Sequence, residues 1–166
     1  MYKIIGAVFT FFAVLAFGCG KSRMLYKRYD TLENFHKSVS QLRSEISLRQ
    51  THLQSAFKLI GEKYKNPCFI RSAELIGELG AEAAFNKAVS ETCRDFGLLC
   101  EDYNAILEIS PGLGRCDTEN QLRQLDYALG LLRQASDNAL GIIREKSGVF
   151  IRSAILAASA IVIIFI

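Results

Sequence analysis

The sequence predicts an all-α fold, an antiparallel bundle of about six helices flanked by an N-terminal and a C-terminal transmembrane helix. Three observations lead there. Through the middle of the chain apolar residues recur in alternating steps of three and four, no segment alternates with period two for long enough to form a strand, and each end carries an uncharged apolar run. A chain of 166 residues is enough for about one domain, and its two ends are not free to join that domain. The expected division is residues 1–22 as the N-terminal transmembrane helix, 23–148 as a cytosolic helical bundle and 149–166 as the C-terminal transmembrane helix.

The N-terminal run, IIGAVFTFFAVLAFGCG from Ile4 to Gly20, carries no charge and is followed at once by Lys21, Arg23, Lys27 and Arg28. At helical rise it is roughly 25 Å long against a hydrocarbon core of about 30 Å, so it spans with little to spare. The C-terminal run, SAILAASAIVIIFI from Ser153 to Ile166, is preceded by Arg144, Lys146 and Arg152. Its length is roughly 21 Å, adequate once Val149, Phe150 and Ile151 are included and Arg152 snorkels back to the headgroups.

Basic residues crowd the inner flank of both runs, while outside them only Lys3 remains. The positive-inside rule then places residues 21–152 in the cytoplasm and both termini across the membrane. A net charge of +3 is small, and its excess lies near the membrane. That fits topology and contact with anionic lipid, and it argues against nucleic acid as a partner. Another reading takes Lys3 and the apolar run as a signal and Cys19 as a lipidated residue, which makes the protein an extracytoplasmic lipoprotein-type helical binding module. Bulky Phe17 fits that signal badly, and the charge asymmetry at both ends opposes it.

The first amphipathic helix shows Leu32, Phe35, Val39, Leu42 and Ile46 on one face and Glu33, Lys37, Gln41, Arg43 and Glu45 on the other, growing directly out of the first span. A second uses Leu53, Phe57, Ile60 and Tyr64, with Thr51 as N-cap, and ends near KNP because Pro67 restricts the residue before it. Pro67 opens the third, PCFIRSAELIGEL, with Phe69, Ala73, Ile76 and Leu79 apolar and Gly80 as its stop. The fourth, AEAAFNKAVSETCRDFG, uses Phe85, Ala88, Val89 and Thr92 or Cys93, capped at Gly97. A short fifth, CEDYNAILEI, stops at Ser110 because Pro111 cannot continue it. The sixth runs from Thr118 into the C-terminal span, on a seam of Leu122, Leu125, Leu129, Leu132, Ser136, Ala139 and Ile143.

Between the fifth and sixth helices, SPGLGRCDTENQL concentrates the turn formers of the chain. Gly112 and Gly114 permit positive φ in a tight connection, and Asp117 or Thr118 caps helix six. Thr118 and Gln121 have capping-box spacing, and Glu119 suits the positive end of the helix dipole. The acidic side chains at this exposed helix start make Gly112, Gly114, Asp117, Glu119 and Gln121 the expected partner-binding surface, against a purely structural role as caps.

Catalysis finds little support. Ser110, Cys116 and Thr118 have no base beside them, and the two histidines, His36 and His52, have no second ligand at metal spacing and read as polar surface residues. Glu74, Glu78 and Glu82 recur every four positions and read as a solvated face of helix three. No phosphate-binding glycine motif is present. The five cysteines, at 19, 68, 93, 100 and 116, have irregular spacing and read as reduced thiols serving as small core residues. No enzyme, no cofactor, no metal and no small-molecule substrate is expected.

The stretch LEISPGLGRCDTENQLRQLDYALGLLRQASDNALGIIREKSGVF resembles the stage III sporulation protein AB family of endospore-forming bacteria. The matching positions are Leu107, Gly112, Leu113, Gly114, Asp117, Gln121, Leu125, Leu132, Ala139, Lys146 and Gly148, and LRSEISLRQTHLQSAF is similar to the family's first helix pair, with Glu45 and Ile46 as its acidic and apolar residues. The resemblance covers the whole chain in the order span, bundle, span. It departs at Ser110, Pro111 and Gly112, where the family commonly has an aromatic residue and a glycine, and at THL, where TPL is common.

What the resemblance implies is a non-enzymatic component of the apparatus that joins mother cell and forespore, anchored in the mother-cell membrane. Its bundle is expected to look like the cytoplasmic domain of type II secretion F-type platform proteins. The implied partners are the stage III sporulation AA-type secretion ATPase and other stage III A-operon membrane proteins.

Overall fold

The computed structural model describes the backbone of residues 2–49, 52–93, 96–115 and 117–165. Side chains are described at 20, 22–48, 52–93, 96–115, 117–146, 148–149, 152–153 and 156. Among these residues there are six helices and no strand: α1 (Tyr2–Arg49), α2 (Leu53–Tyr64), α3 (Pro67–Leu79), α4 (Ala81–Thr92), α5 (Cys100–Leu107) and α6 (Thr118–Phe165). The chain divides into two compact units, one of residues 1–29 with 138–166 and one of residues 30–137, so α1 and α6 contribute to both.

In the first unit Ser22, Arg28, Ala139 and Ile143 are buried, while Met24, Tyr26, Val149 and Leu156 are exposed. Among the described residues no helix is long and apolar enough to cross a membrane. Nearly all of the apolar runs 4–20 and 153–166, expected as the spans, lie outside the residues whose side chains are described, as does Cys19.

The second unit is the helical bundle. The α1 stripe of Leu32, Phe35, Val39, Leu42 and Ile46 is buried throughout, as its spacing predicts. Four phenylalanines, Phe35 of α1, Phe57 of α2, Phe69 of α3 and Phe85 of α4, meet at the centre. Phe69 stacks on Phe57 at 5.0 Å between ring centroids and meets Phe85 edge-on at 5.7 Å and Phe35 at 6.3 Å. Such geometry adds about 0.5–1.5 kcal/mol per pair beyond the area buried. From α5, α6 and the turn between them, Ile106, Ile109, Leu113, Leu125, Ala128 and Leu132 complete the core.

A buried polar knot fixes the α2–α3 turn. Lys65 adopts the left-handed conformation at φ 51°, and the Asn66 N–H donates to the Gly61 carbonyl at 3.0 Å. The Asn66 side chain then does two jobs. Its oxygen accepts from the Cys68 N–H at 3.1 Å and caps α3, while its amide donates to Asn34 Oδ1 at 2.8 Å and Ser38 Oγ at 3.4 Å on α1. Asn34 in turn donates to the Tyr64 carbonyl at 2.8 Å. Gly61 lets α3 approach closely, since a Cβ there would lie 2.7 Å from the backbone nitrogen of Ile70.

Several local expectations shift. Leu75 and Ser72 face the core on α3, whereas Leu79 is exposed, because the antiparallel neighbours α2 and α4 turn the Cys68, Phe69, Ser72, Ala73 and Leu75 side inward. Helix α4 stops at Thr92 with Cys93 as C-cap, so Gly97, at φ 68°, shapes the following loop rather than capping the helix. Glu82 opens α4 and does not share α3 with Glu74 and Glu78. Glu45, read as part of the polar face, is buried and accepts from Gln41 Nε2 at 2.9 Å. Thr51 lies outside the described residues, and His52 occupies the N-cap position of α2.

Two substitutions test this packing by thermal and urea denaturation. Gly61→Ala should lower stability by about 1–3 kcal/mol through overpacking, although helix propensity alone favours alanine by about 1 kcal/mol. Asn66→Ala should cost about 2 kcal/mol, since it removes a cap and the bonds to half-buried Asn34 and buried Ser38 on α1. Unchanged midpoints would contradict the close α2–α3 approach and the polar knot respectively.

Candidate functional site

The connection from α5 to α6 is wound before it turns. After Leu107 the N–H groups of Ile109 and Ser110 reach back three residues, to Ile106 O at 3.2 Å and Leu107 O at 3.0 Å, and the Ser110 hydroxyl donates to Leu107 O at 2.9 Å. Helix α5 thus ends ahead of Pro111, which sits exposed in the turn itself. Gly112 and Gly114 take φ of 75° and 76°, as the turn chemistry predicts, and buried Leu113 between them pins the loop to the core.

Helix α6 is tied to this turn by amide side chains. Gln124 Nε2 donates to the Glu108 carbonyl at 3.0 Å, and Gln121 Nε2 donates to the Gly112 carbonyl at 3.4 Å. The Asp117 carbonyl accepts from the Gln121 N–H at 3.0 Å, which makes Asp117 the cap position, and its carboxylate accepts from the Asn120 side chain. Thr118 is the first residue of the helix. Gln121 therefore holds the turn instead of closing a capping box on Thr118.

The expected partner-binding residues separate into three groups. Gly112 and Gln121 line a shallow groove of about 400 Å³ together with Pro111, Asn120, Arg123 and Gln124. Asp117 and Glu119 are exposed beside it, Glu119 pairing with Arg123 at 3.5 Å. Gly114 belongs to the packing, for a Cβ there would lie 3.4 Å from Ala81 Cβ and 3.7 Å from Leu53 Cδ2, at the starts of α4 and α2. Arg123 and Gln124 were missed by sequence reasoning; Gln124, three residues from Gln121, shares its helix face and was readable from spacing, whereas Arg123, two residues on, was not. The groove is rich in amide donors and acceptors, carries one guanidinium already facing a carboxylate, and suits recognition of a polar protein surface. A second shallow groove lies between α2 and α3, lined by Gln54, Ser55, Lys58, Glu62, Ile70, Ala73 and Glu74. Among the described residues no group of three or more His, Cys, Asp or Glu is placed to hold a metal ion.

Gly114→Ala puts a side chain on a left-handed residue and against Ala81, so it should cost about 1–2 kcal/mol in urea denaturation. An unaltered midpoint would mean that the turn relaxes freely and does not position the groove.

Comparison with known proteins bears on what this surface serves. Neither the curated proteins nor the solved structures contain a match to the chain. The family described as stage III sporulation protein AB matches residues 3–166, which takes in α1 through α6. On that match, which covers the whole chain apart from its first two residues, the protein belongs to the stage III sporulation protein AB family.

Proposed function

We infer that this stage III sporulation protein is a non-enzymatic, membrane-anchored adaptor. Residues 1–22 and 149–166 are its transmembrane helices, and the bundle between them lies in the mother-cell cytoplasm and docks a cytosolic AA-type secretion ATPase. Both termini lie across the membrane, where the spans meet other stage III A-operon membrane proteins.

The observation that carries this reading is the extent of the family match, which includes the apolar ends as well as the bundle. Two features support it further. Basic residues flank both apolar runs on the bundle side, Lys21, Arg23, Lys27 and Arg28 at one end and Arg144, Lys146 and Arg152 at the other. The groove beside α6 offers hydrogen-bonding amides held by a rigid turn, which is the composition of a polar docking surface and has no nucleophile paired with a base.

Glu119→Lys separates docking from folding. The residue is exposed and lies in the first turn of α6, so losing its ion pair with Arg123 and its favourable place at the helix dipole should lower stability by only about 1 kcal/mol. Affinity for the purified ATPase, measured by biolayer interferometry, should fall by about tenfold or more through charge reversal at the rim. Unchanged affinity would remove this turn from the interface.

A further inference from the structure

The α3–α4 hairpin carries two cysteines that the adaptor role does not use. Cys68 lies in the first turn of α3 at 0 % exposure, and Cys93 is the C-cap of α4 at 3 % exposure. The two helices pack against each other and are joined through Gly80 alone, so the start of one lies beside the end of the other. There both thiols are buried at the same end of the hairpin, close enough that each alters the ionisation of the other. The Thr92 hydroxyl donates to the Ala88 carbonyl at 2.7 Å and lies 3.7 Å from Cys93 Sγ.

We propose that Cys68 and Cys93 are a peroxide-sensitive dithiol that closes to a disulfide within the folded bundle and staples α3 to α4. In a reducing compartment the resting state is the dithiol. Burial pushes the Cys68 thiol up, while the neighbouring Cys68 thiol draws Cys93 down, so Cys93 ionises first. Its thiolate attacks one oxygen of hydrogen peroxide. The S–O bond forms as the O–O bond breaks, and the departing hydroxide takes a proton to become water. Cys68 then gives up its proton and attacks the Cys93 sulfur, so that the S–S bond forms, the S–O bond breaks and a second water leaves. Two electrons pass from two thiols to one peroxide. Cys93 stands where α4 stops, and helix ends open more readily than helix interiors, which gives the oxidant its route.

The test exposes the full-length protein in detergent micelles to hydrogen peroxide under native conditions, blocks the remaining thiols with a maleimide and maps the peptides. The expected product joins the Cys68 and Cys93 peptides, with a loss of about 2 Da from the two protons and two electrons removed. The thermal midpoint should rise by several degrees and return on addition of dithiothreitol. Cys68→Ala should abolish both effects and leave Cys93 as a sulfenic acid that dimedone traps; should that variant unfold, Cys93→Ser carries the same test of the cross-link. Recovery of Cys68 as an alkylated thiol beside over-oxidised Cys93, or a cross-link that forms only in urea, would overturn the proposal.

Discussion

Four phenylalanine rings, one each from α1, α2, α3 and α4, set the positions of the helices that make the bundle. Phe69 touches the other three, so α3 is the element around which the rest is arranged. Aromatic rings in a tilted cluster tolerate little sliding, because offset and edge-on contacts are lost when a centroid moves by an ångström or two. Everything near them is then built small. Gly61, Ala73, Ala84 and Ala88 let the short helices come together around the rings, and Cys68 and Cys93 fill the end of the same layer.

Polar groups supply what the rings cannot, which is register. The Asn66 side chain caps α3 and bonds to α1 at once, so the α2–α3 turn has one position along α1. Arg43 makes a bidentate pair with Asp126 between α1 and α6, and Arg71 of α3 donates to Glu91 of α4 at 2.8 Å, holding that carboxylate below its ordinary range. These surface pairs contribute little to stability but favour one arrangement of neighbouring helices over its near alternatives. The turn from α5 to α6 inherits this order. Leu113 anchors it in the core, Gly114 rests on the starts of α2 and α4, and the groove at Gly112 and Gln121 is consequently a rigid surface on a loop.

Much of this was legible in the residues. The α1 stripe, the Pro67 start of α3, the Gly80 break and the positive φ of Gly112 and Gly114 follow from local rules of helix periodicity and turn chemistry, and the structure keeps them. What was not legible depends on neighbours. Which side of α3 turns inward is decided by the helices on either side of it, so Leu79 is exposed and Leu75 is not. Helix α4 ends at Thr92 although its pattern runs on, and Glu45 is buried on a helix face that reads as polar. At the candidate site the turn residues were readable as turn formers, but Gln124 joins the groove by folding back onto Glu108, a contact between helices that local rules do not show. The family, by contrast, was readable from the residues, and the match over residues 3–166 bears it out.

The central claim is that the bundle faces the cytoplasm, where an ATPase could reach it. Cys100 is a natural reporter, being an exposed free thiol at the start of α5. A variant that keeps this cysteine and replaces the other four would be treated, in intact sporulating cells, with a membrane-impermeant maleimide. Cytoplasmic placement predicts that Cys100 stays unlabelled until the cells are lysed. Labelling of Cys100 in intact cells would put the bundle outside and contradict the account.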